Sequence, residues 1–158
     1  YSNILTLPET IIQNEISVPG NDGRKMSKSY NNIIPFLSTE KALQESIAKI
    51  ITNSLEPGEP KDTENCTLFQ LYSFFGTKDQ IQSMEQAYKD GISWGDAKKE
   101  LFSVINKEIL PIREKYLELN DQPNLLNDLF FDGACKVRPQ AQELVKKLRE
   151  AAGISKIV

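Results

Sequence analysis

The sequence predicts a mainly α protein, a helical bundle preceded by an irregular, loop-bearing segment. Three observations carry this reading. From about Pro35 onward, apolar residues recur at three- and four-residue spacing, which lines them along one face of a helix. Ser, Thr and Asp stand just before several of these runs, where a side-chain oxygen can accept from the first free backbone N–H groups. Before Pro35, turn formers cluster and the apolar stretches are too brief to bury a core.

Taken in order, Ile4-Leu5-Thr6-Leu7-Pro8-Glu9-Thr10-Ile11-Ile12 and the short alternation near Ile16 and Val18 read as extended or irregular. A first helix places Leu43, Ile47, Ile50 and Ile51 on one face behind a Ser38 cap. Thr52 to Glu64, rich in Pro, Gly, Glu and Lys, is a long loop. A second helix carries Leu68, Leu71, Tyr72 and Phe75 after Thr67. The third opens at Thr77 with Gln80 three residues on, a capping-box pattern, and runs through Ile81, Met84 and Tyr88 to Gly91. Ser93 and Asp96 open a longer helix bearing Ala97, Leu101, Val104 and Ile105, with Trp94 stapling its start. Pro111 lacks a backbone donor and should kink or break that helix before Ile112, Tyr116 and Leu119. A short helix from Asp121 to Phe131 and a last one from about Gly133 to Ala152 complete the bundle, with Asp121 and Asp132 as helix-start caps.

Composition bounds the function. The 158 residues, 39% hydrophobic, suffice for one core and a short appended segment. A net charge of −3 does not advertise a nucleic-acid binder, although the local patch matters more than the sum. The two cysteines, Cys66 and Cys135, lack zinc spacing and a secretory context and read as reduced thiols. No apolar run approaches the ~20 residues of a membrane span. No metal-ligand cluster, repeat, signal peptide or low-complexity tract is evident.

The segment richest in chemistry is Gly23-Arg24-Lys25-Met26-Ser27-Lys28-Ser29-Tyr30-Asn31-Asn32. Pro19-Gly20-Asn21-Asp22-Gly23 before it lets the backbone bend sharply, so the loop is expected to be mobile. Lys25 and Lys28 are compact charges on flexible stems, suited to following a polyphosphate, and Ser27 and Ser29 add hydroxyl donors. In a dry closed site one such group can be worth roughly 3 kcal/mol to charge developing on a leaving group. The plain alternative is a solvated, basic surface turn. On the last helix, Val137, Ala141, Leu144 and Leu148 are expected on the buried side, with Lys136 and Lys147 on one flank and Arg138 and Arg149 on the other. Either flank could touch RNA backbone, or the charges could simply snorkel around an amphipathic helix.

Lys25-Met26-Ser27-Lys28-Ser29 matches the signature loop of class I aminoacyl-tRNA synthetases. The flanks resemble the tryptophanyl-tRNA synthetases in particular: Val18-Pro19-Gly20-Asn21-Asp22-Gly23-Arg24 before the loop, Tyr30-Asn31-Asn32-Ile33-Ile34-Pro35 after it, Thr52-Asn53-Ser54-Leu55-Glu56-Pro57-Gly58-Glu59-Pro60-Lys61 further on, then Leu68-Phe69-Gln70-Leu71-Tyr72-Ser73-Phe74-Phe75 and Asp132-Gly133-Ala134-Cys135-Lys136-Val137-Arg138. The resemblance covers essentially the whole chain. It implies that residues 1–35 end a Rossmann-like nucleotide-binding catalytic domain and that 36–158 form the helical anticodon-binding domain. It further implies that Lys25 and Lys28 are catalytic, that Lys25, Ser27, Lys28 and Ser29 contact ATP phosphates, and that Met26 packs the loop against the fold.

The implied reaction is ATP-dependent activation of tryptophan and its transfer to tRNA(Trp), with magnesium accompanying ATP, in a cytoplasmic homodimer. The family's histidine-bearing signature and amino-acid pocket lie upstream, and this chain has no histidine. It begins at Tyr1, so the resemblance implies a piece of a longer enzyme, inactive alone. Other class I synthetases share the loop, so a tyrosyl-like specificity stays open. So do a non-catalytic tRNA-binding module and a fragment with no binding activity.

Overall fold

The computed structural model describes residues 4–11 and 17–154. Ile12 and Ile16, read above as extended, lie outside them. Residues 4–11 have no regular secondary structure. Five α-helices occur among the described residues: α1 (Glu40–Ala48), α2 (Thr67–Phe75), α3 (Lys78–Lys89), α4 (Trp94–Asn120) and α5 (Pro123–Ala151). There is no strand among them, only an isolated antiparallel bridge between Pro19 and Lys25. The described chain forms two compact units, one of residues 17–117 and one of residues 4–11 with 118–154.

The hydrophobic core belongs to the first unit. Leu43 and Ile47 from α1, Leu68, Leu71 and Tyr72 from α2, Met84 and Tyr88 from α3, and Ala97, Leu101, Val104 and Ile105 from α4 are all buried, together with Ile34 and Ile50. These are the positions the spacing selects. Aromatic rings knit the elements: Phe69 meets Tyr88 edge-on at 5.4 Å, Tyr88 meets Trp94 at 5.8 Å, and Phe36 meets Phe75 at 5.5 Å. Trp94 therefore does more than staple a helix start. Its indole also donates to Asn53 Oδ1 at 3.1 Å. Burial pushes the Tyr88 phenol far above its usual range, and the contact with the Cys66 thiol adds to this. Cys66 and Cys135 are both free.

Two caps follow the sequence and the others differ, that of α2 among them: its cap position is Cys66, with no side-chain cap bond, and Thr67 is already the first helical residue. Thr77 and Gln80 form the full capping box of α3, and Ser93 Oγ accepts from Asp96 N at 3.0 Å at the start of α4. The cap of α1, however, is Thr39, whose hydroxyl accepts from Ala42 N. Ser38 instead turns back to donate to Pro35 O at 2.6 Å. Because α1 ends at Ala48, Ile50 and Ile51 lie past it in a turn, and only Ile50 is buried while Ile51 is 66% exposed. Neither Asp121 nor Asp132 caps a helix, since Gln122 precedes Pro123 at the start of α5 and Asp132 is interior to it.

Two helix breaks are absent. α4 runs unbroken through Pro111. An interior proline costs about 3 kcal/mol, but here tertiary contacts grip the helix on both sides. Leu101 and Ile105 are buried before it, and after it Arg113 is buried, donating to Asn106 Oδ1 at 2.8 Å and to Phe36 O at 3.3 Å. Likewise α5 is one helix through Asp132, Gly133 and Pro139. Pro123 at its first turn presets the geometry, and a glycine inside a running helix costs less than nucleating a second one.

Burial on α5 also differs from the expectation. None of the α5 residues is buried; Val137 and Leu144 stand 60% and 42% exposed. The apolar face of this helix exists, yet nothing among the described residues covers it enough to bury it.

The long loop between α1 and α2 is held tightly. Lys61 is only 5% exposed. Its ammonium donates to Glu56 O and Glu59 O, both at 2.9 Å, and lies over the Trp94 ring. Gly58 N donates to Gly91 O at 2.8 Å. A Cβ on Gly91 would come within 2.6 Å of Gly58 Cα, so only glycine allows this approach.

Candidate functional site

The Lys25–Ser29 loop is the return limb of a small hairpin. Met26 N donates to Val18 O at 2.9 Å and Gly20 N to Arg24 O at 2.7 Å, while Gly23 N closes the turn on Gly20 O at 3.1 Å. Gly23 adopts φ 78°, the left-handed conformation glycine enters freely. The hairpin is tied to the core-bearing unit, because Ile51 N donates to Asn21 O at 3.0 Å. Met26 packs against the core as the resemblance implied.

After Met26 the chain extends through Ser27 and winds into one 3-10 turn, Lys28–Tyr30, closed by Asn31 in the left-handed region. The Ser27 and Ser29 hydroxyls are hydrogen-bonded at 2.8 Å. Lys25, Lys28 and Ser29 are exposed and Ser27 is half-buried. Among the described residues no hydrogen bond or ion pair engages the ammonium group of Lys25 or Lys28. Two cations thus remain available beside two hydroxyls, which is a donor set for a polyanion.

Behind the loop sits Asn32, 1% exposed. Its Oδ1 accepts from Ser27 N at 2.8 Å, and its Nδ2 donates to Asp22 Oδ1 at 2.7 Å and to Lys25 O at 3.2 Å. These partners fix which way the amide points, since a backbone N–H needs the oxygen and a carboxylate needs the nitrogen. Asn32 O also accepts from Asn21 N at 3.0 Å. Gly20 makes room for this group: a Cβ there would come within 2.5 Å of Asn32 Cγ. Asp22 further holds Arg24, accepting from Nε at 2.8 Å and pairing with Nη2 at 2.6 Å, and the guanidinium lies 4.6 Å from the Tyr30 ring centre. The Asn32 hydrogen bond holds the Asp22 carboxyl below the usual carboxylate range, with Arg24 acting in the same sense. Asn32 and Asp22 escape a reading of the sequence as site residues. An Asn looks like any turn former until its burial is known.

The four cations considered for RNA all lie on α5 and are exposed. Arg138 and Arg149 lie about three turns apart on the same side of α5, at an open surface depression also lined by Val145, Lys146 and Ile154. Lys136 and Lys147 do not line it. Lys147 instead pairs with Glu143 at 2.7 Å, which raises the lysine pKa and lowers that of the glutamate. Among the described residues no group of three or more His, Cys, Asp or Glu could hold a metal ion, and no helix is long and apolar enough to cross a membrane.

Comparison with known proteins identifies the family. The family model described as tRNA synthetases class I (W and Y) matches residues 2–109. The tryptophan–tRNA ligase of Pseudomonas aeruginosa is 42% identical over 149 residues, covering 94% of this chain and 33% of that protein. That of Neisseria meningitidis is 43% identical over 155 residues, covering 98% and 46%. The crystal structure of Campylobacter jejuni tryptophanyl-tRNA synthetase complexed with ADP and tryptophan superposes with a TM-score of 0.84 at 39% identity, over 95% of this chain and 48% of that one. The chain thus spans a third to a half of the length of these relatives. With the family model matching well over half of its residues, around the loop built from Lys25 to Ser29, the chain belongs to the class I tRNA synthetases of the tryptophan and tyrosine group.

Proposed function

We propose that this chain is part of a tryptophan–tRNA ligase, to which it supplies the ATP-phosphate loop and helices that bind tRNA(Trp). The observation that carries the reading is the pair of ammonium groups, Lys25 and Lys28, unengaged among the described residues, on a loop whose backbone is anchored from behind. In the whole enzyme the tryptophan carboxylate attacks the α-phosphorus of ATP. The bond from that phosphorus to the bridging oxygen breaks, the electron pair goes to pyrophosphate, and tryptophanyl-adenylate remains. A ribose hydroxyl of the tRNA's terminal adenosine then attacks the carbonyl carbon of the adenylate, the bond from that carbon to the phosphate oxygen breaks, and AMP leaves. Lys25 and Lys28, with the Ser27 and Ser29 hydroxyls, take up the charge accumulating on pyrophosphate.

Magnesium belongs to ATP in this scheme; the described residues offer no cluster for it, and no step is assigned to it. The proposal sets a domain boundary near residue 35, with the loop on the catalytic side and 36–158 as the tRNA-binding part. Arg138 and Arg149 are the favoured phosphate contacts on α5, with Lys136 and Lys147 secondary. The whole enzyme acts as a cytoplasmic homodimer.

The test is amino-acid-dependent pyrophosphate exchange by the intact enzyme containing this segment. Exchange should depend on tryptophan and not on tyrosine or methionine. Lys28→Ala should lower the adenylation rate by about 100-fold or more, the loss typical of one such donor, with tryptophan affinity little changed, because the interaction strengthens as charge develops. A change confined to ATP affinity would refute the assigned role.

A further inference from the structure

We infer that Asn32 is a positioning residue for the Lys25–Ser29 loop: its buried amide holds the loop backbone in the geometry from which Ser27 and Lys28 meet the phosphates. The inference rests on the phosphate-loop reading above and adds to it a residue that touches no substrate. Three observations carry it.

First, one side chain collects four separated points of the hairpin. Ser27 N–H, Lys25 O, Arg24 O and the Asp22 carboxylate all converge on the Asn32 amide, at 2.8, 3.2, 3.5 and 2.7 Å. Two of these are backbone groups of the motif itself. Of the motif's own side chains Met26 packs against the core, but none hydrogen-bonds to the motif's backbone, for the Ser27 and Ser29 hydroxyls bond to each other.

Second, the space is built for it. Asn32 is 1% exposed, and the chain crosses it at Gly20, where a Cβ would fall within 2.5 Å of its Cγ and Nδ2. A side chain enclosed this closely cannot swing away without opening the turn.

Third, Asn32 is fixed from the far side. Its own backbone carbonyl still faces the hairpin, accepting from Asn21 N at 3.0 Å, and the residues after it make the link to the core. The next carbonyl, Ile33 O, accepts from Ser46 Oγ of α1 at 3.4 Å, and Ile34 is in the core. The amide therefore transmits the position of the helical core to the loop. Pinning the backbone leaves both ammonium groups unspent for ligand, and a loop fixed beforehand need not be ordered during reaction.

The experiment uses the intact enzyme, with Asn32→Ala and the near-isosteric Asn32→Asp, which keeps an acceptor for Ser27 N–H but loses the donors. Rates are taken per active site titrated by adenylate formation, so misfolded molecules drop out. Both variants should lower kcat of pyrophosphate exchange at least about tenfold with KM for tryptophan within about twofold, as expected when stabilisation specific to the transition state is removed. In the intact enzyme carrying Asn32→Asp, amide exchange at Lys28–Asn31 should accelerate while Leu101 stays protected. Unchanged kcat per titrated site, with Lys28→Ala still disabling, overturns the inference and spares the phosphate-loop reading. If Lys28→Ala is equally harmless, the phosphate-loop reading falls and this inference with it.

Discussion

Asp22 shows how charge and geometry meet in the hairpin. Its carboxylate bonds to the Asn32 amide and to Arg24, and these interactions depress its pKa in the folded state. A carboxyl with a depressed folded pKa adds stability above its unfolded value, near 4, and gives it up as pH falls through the folded value. Acid should therefore loosen the turn before the core. Resonances of Gly20 to Asn32, followed from pH 6 down to about pH 3, should shift with a midpoint below the unfolded carboxylate pKa, and Asp22→Asn should abolish that titration. A midpoint at or above about 4 contradicts the bonding described. Lys25 and Lys28 are legible in the sequence because their chemistry is carried by residue type. Asn32 is not, because its role comes from enclosure, and enclosure depends on Gly20 and Asn21 folding over it.

At the scale of elements, the α3 start is a clean case of local sequence dictating structure. Thr77 Oγ1 accepts from Gln80 N at 3.3 Å and Gln80 Oε1 accepts from Thr77 N at 2.8 Å. Thr77→Ala should lower the unfolding free energy by about 1 kcal/mol, read by urea titration of the 158-residue chain, and a neutral result would mean the exposed box adds nothing. The start of α3 is readable because its cap is short-range, whereas α1 begins one residue later than Ser38 would place it and ends before Ile50 and Ile51, and α2 begins with no side-chain cap at all. The long helices are not readable this way either. A proline signals an end only if nothing distant holds the helix, and Arg113 bonded to Phe36 O does so across 77 residues of sequence. Asp132-Gly133 looks like a start, yet a helix already nucleated at Pro123 passes through it.

For the molecule as a whole, periodicity identifies which faces are apolar but not which of them find a partner. The faces of α1 to α4 close on one another, whereas Phe130 and Phe131 on α5 stand 74% and 66% exposed. Hydrogen exchange in this chain should separate the two units, with amides of Ala97 to Ile105 protected to the global limit and those of α5 exchanging far sooner. Uniform protection along both helices would contradict that division. Within the core-bearing unit, the stretch from Glu56 to Lys61 bridges the end of α3 and the start of α4 through Gly91 and Trp94. That bridge sets a ruler: inserting even one residue between Glu56 and Lys61 would carry the amine off its two carbonyls and strand a cation in apolar surroundings. A connector composed like a disposable surface turn is thereby fixed in length, and variation in chain length has to be accommodated in other connections.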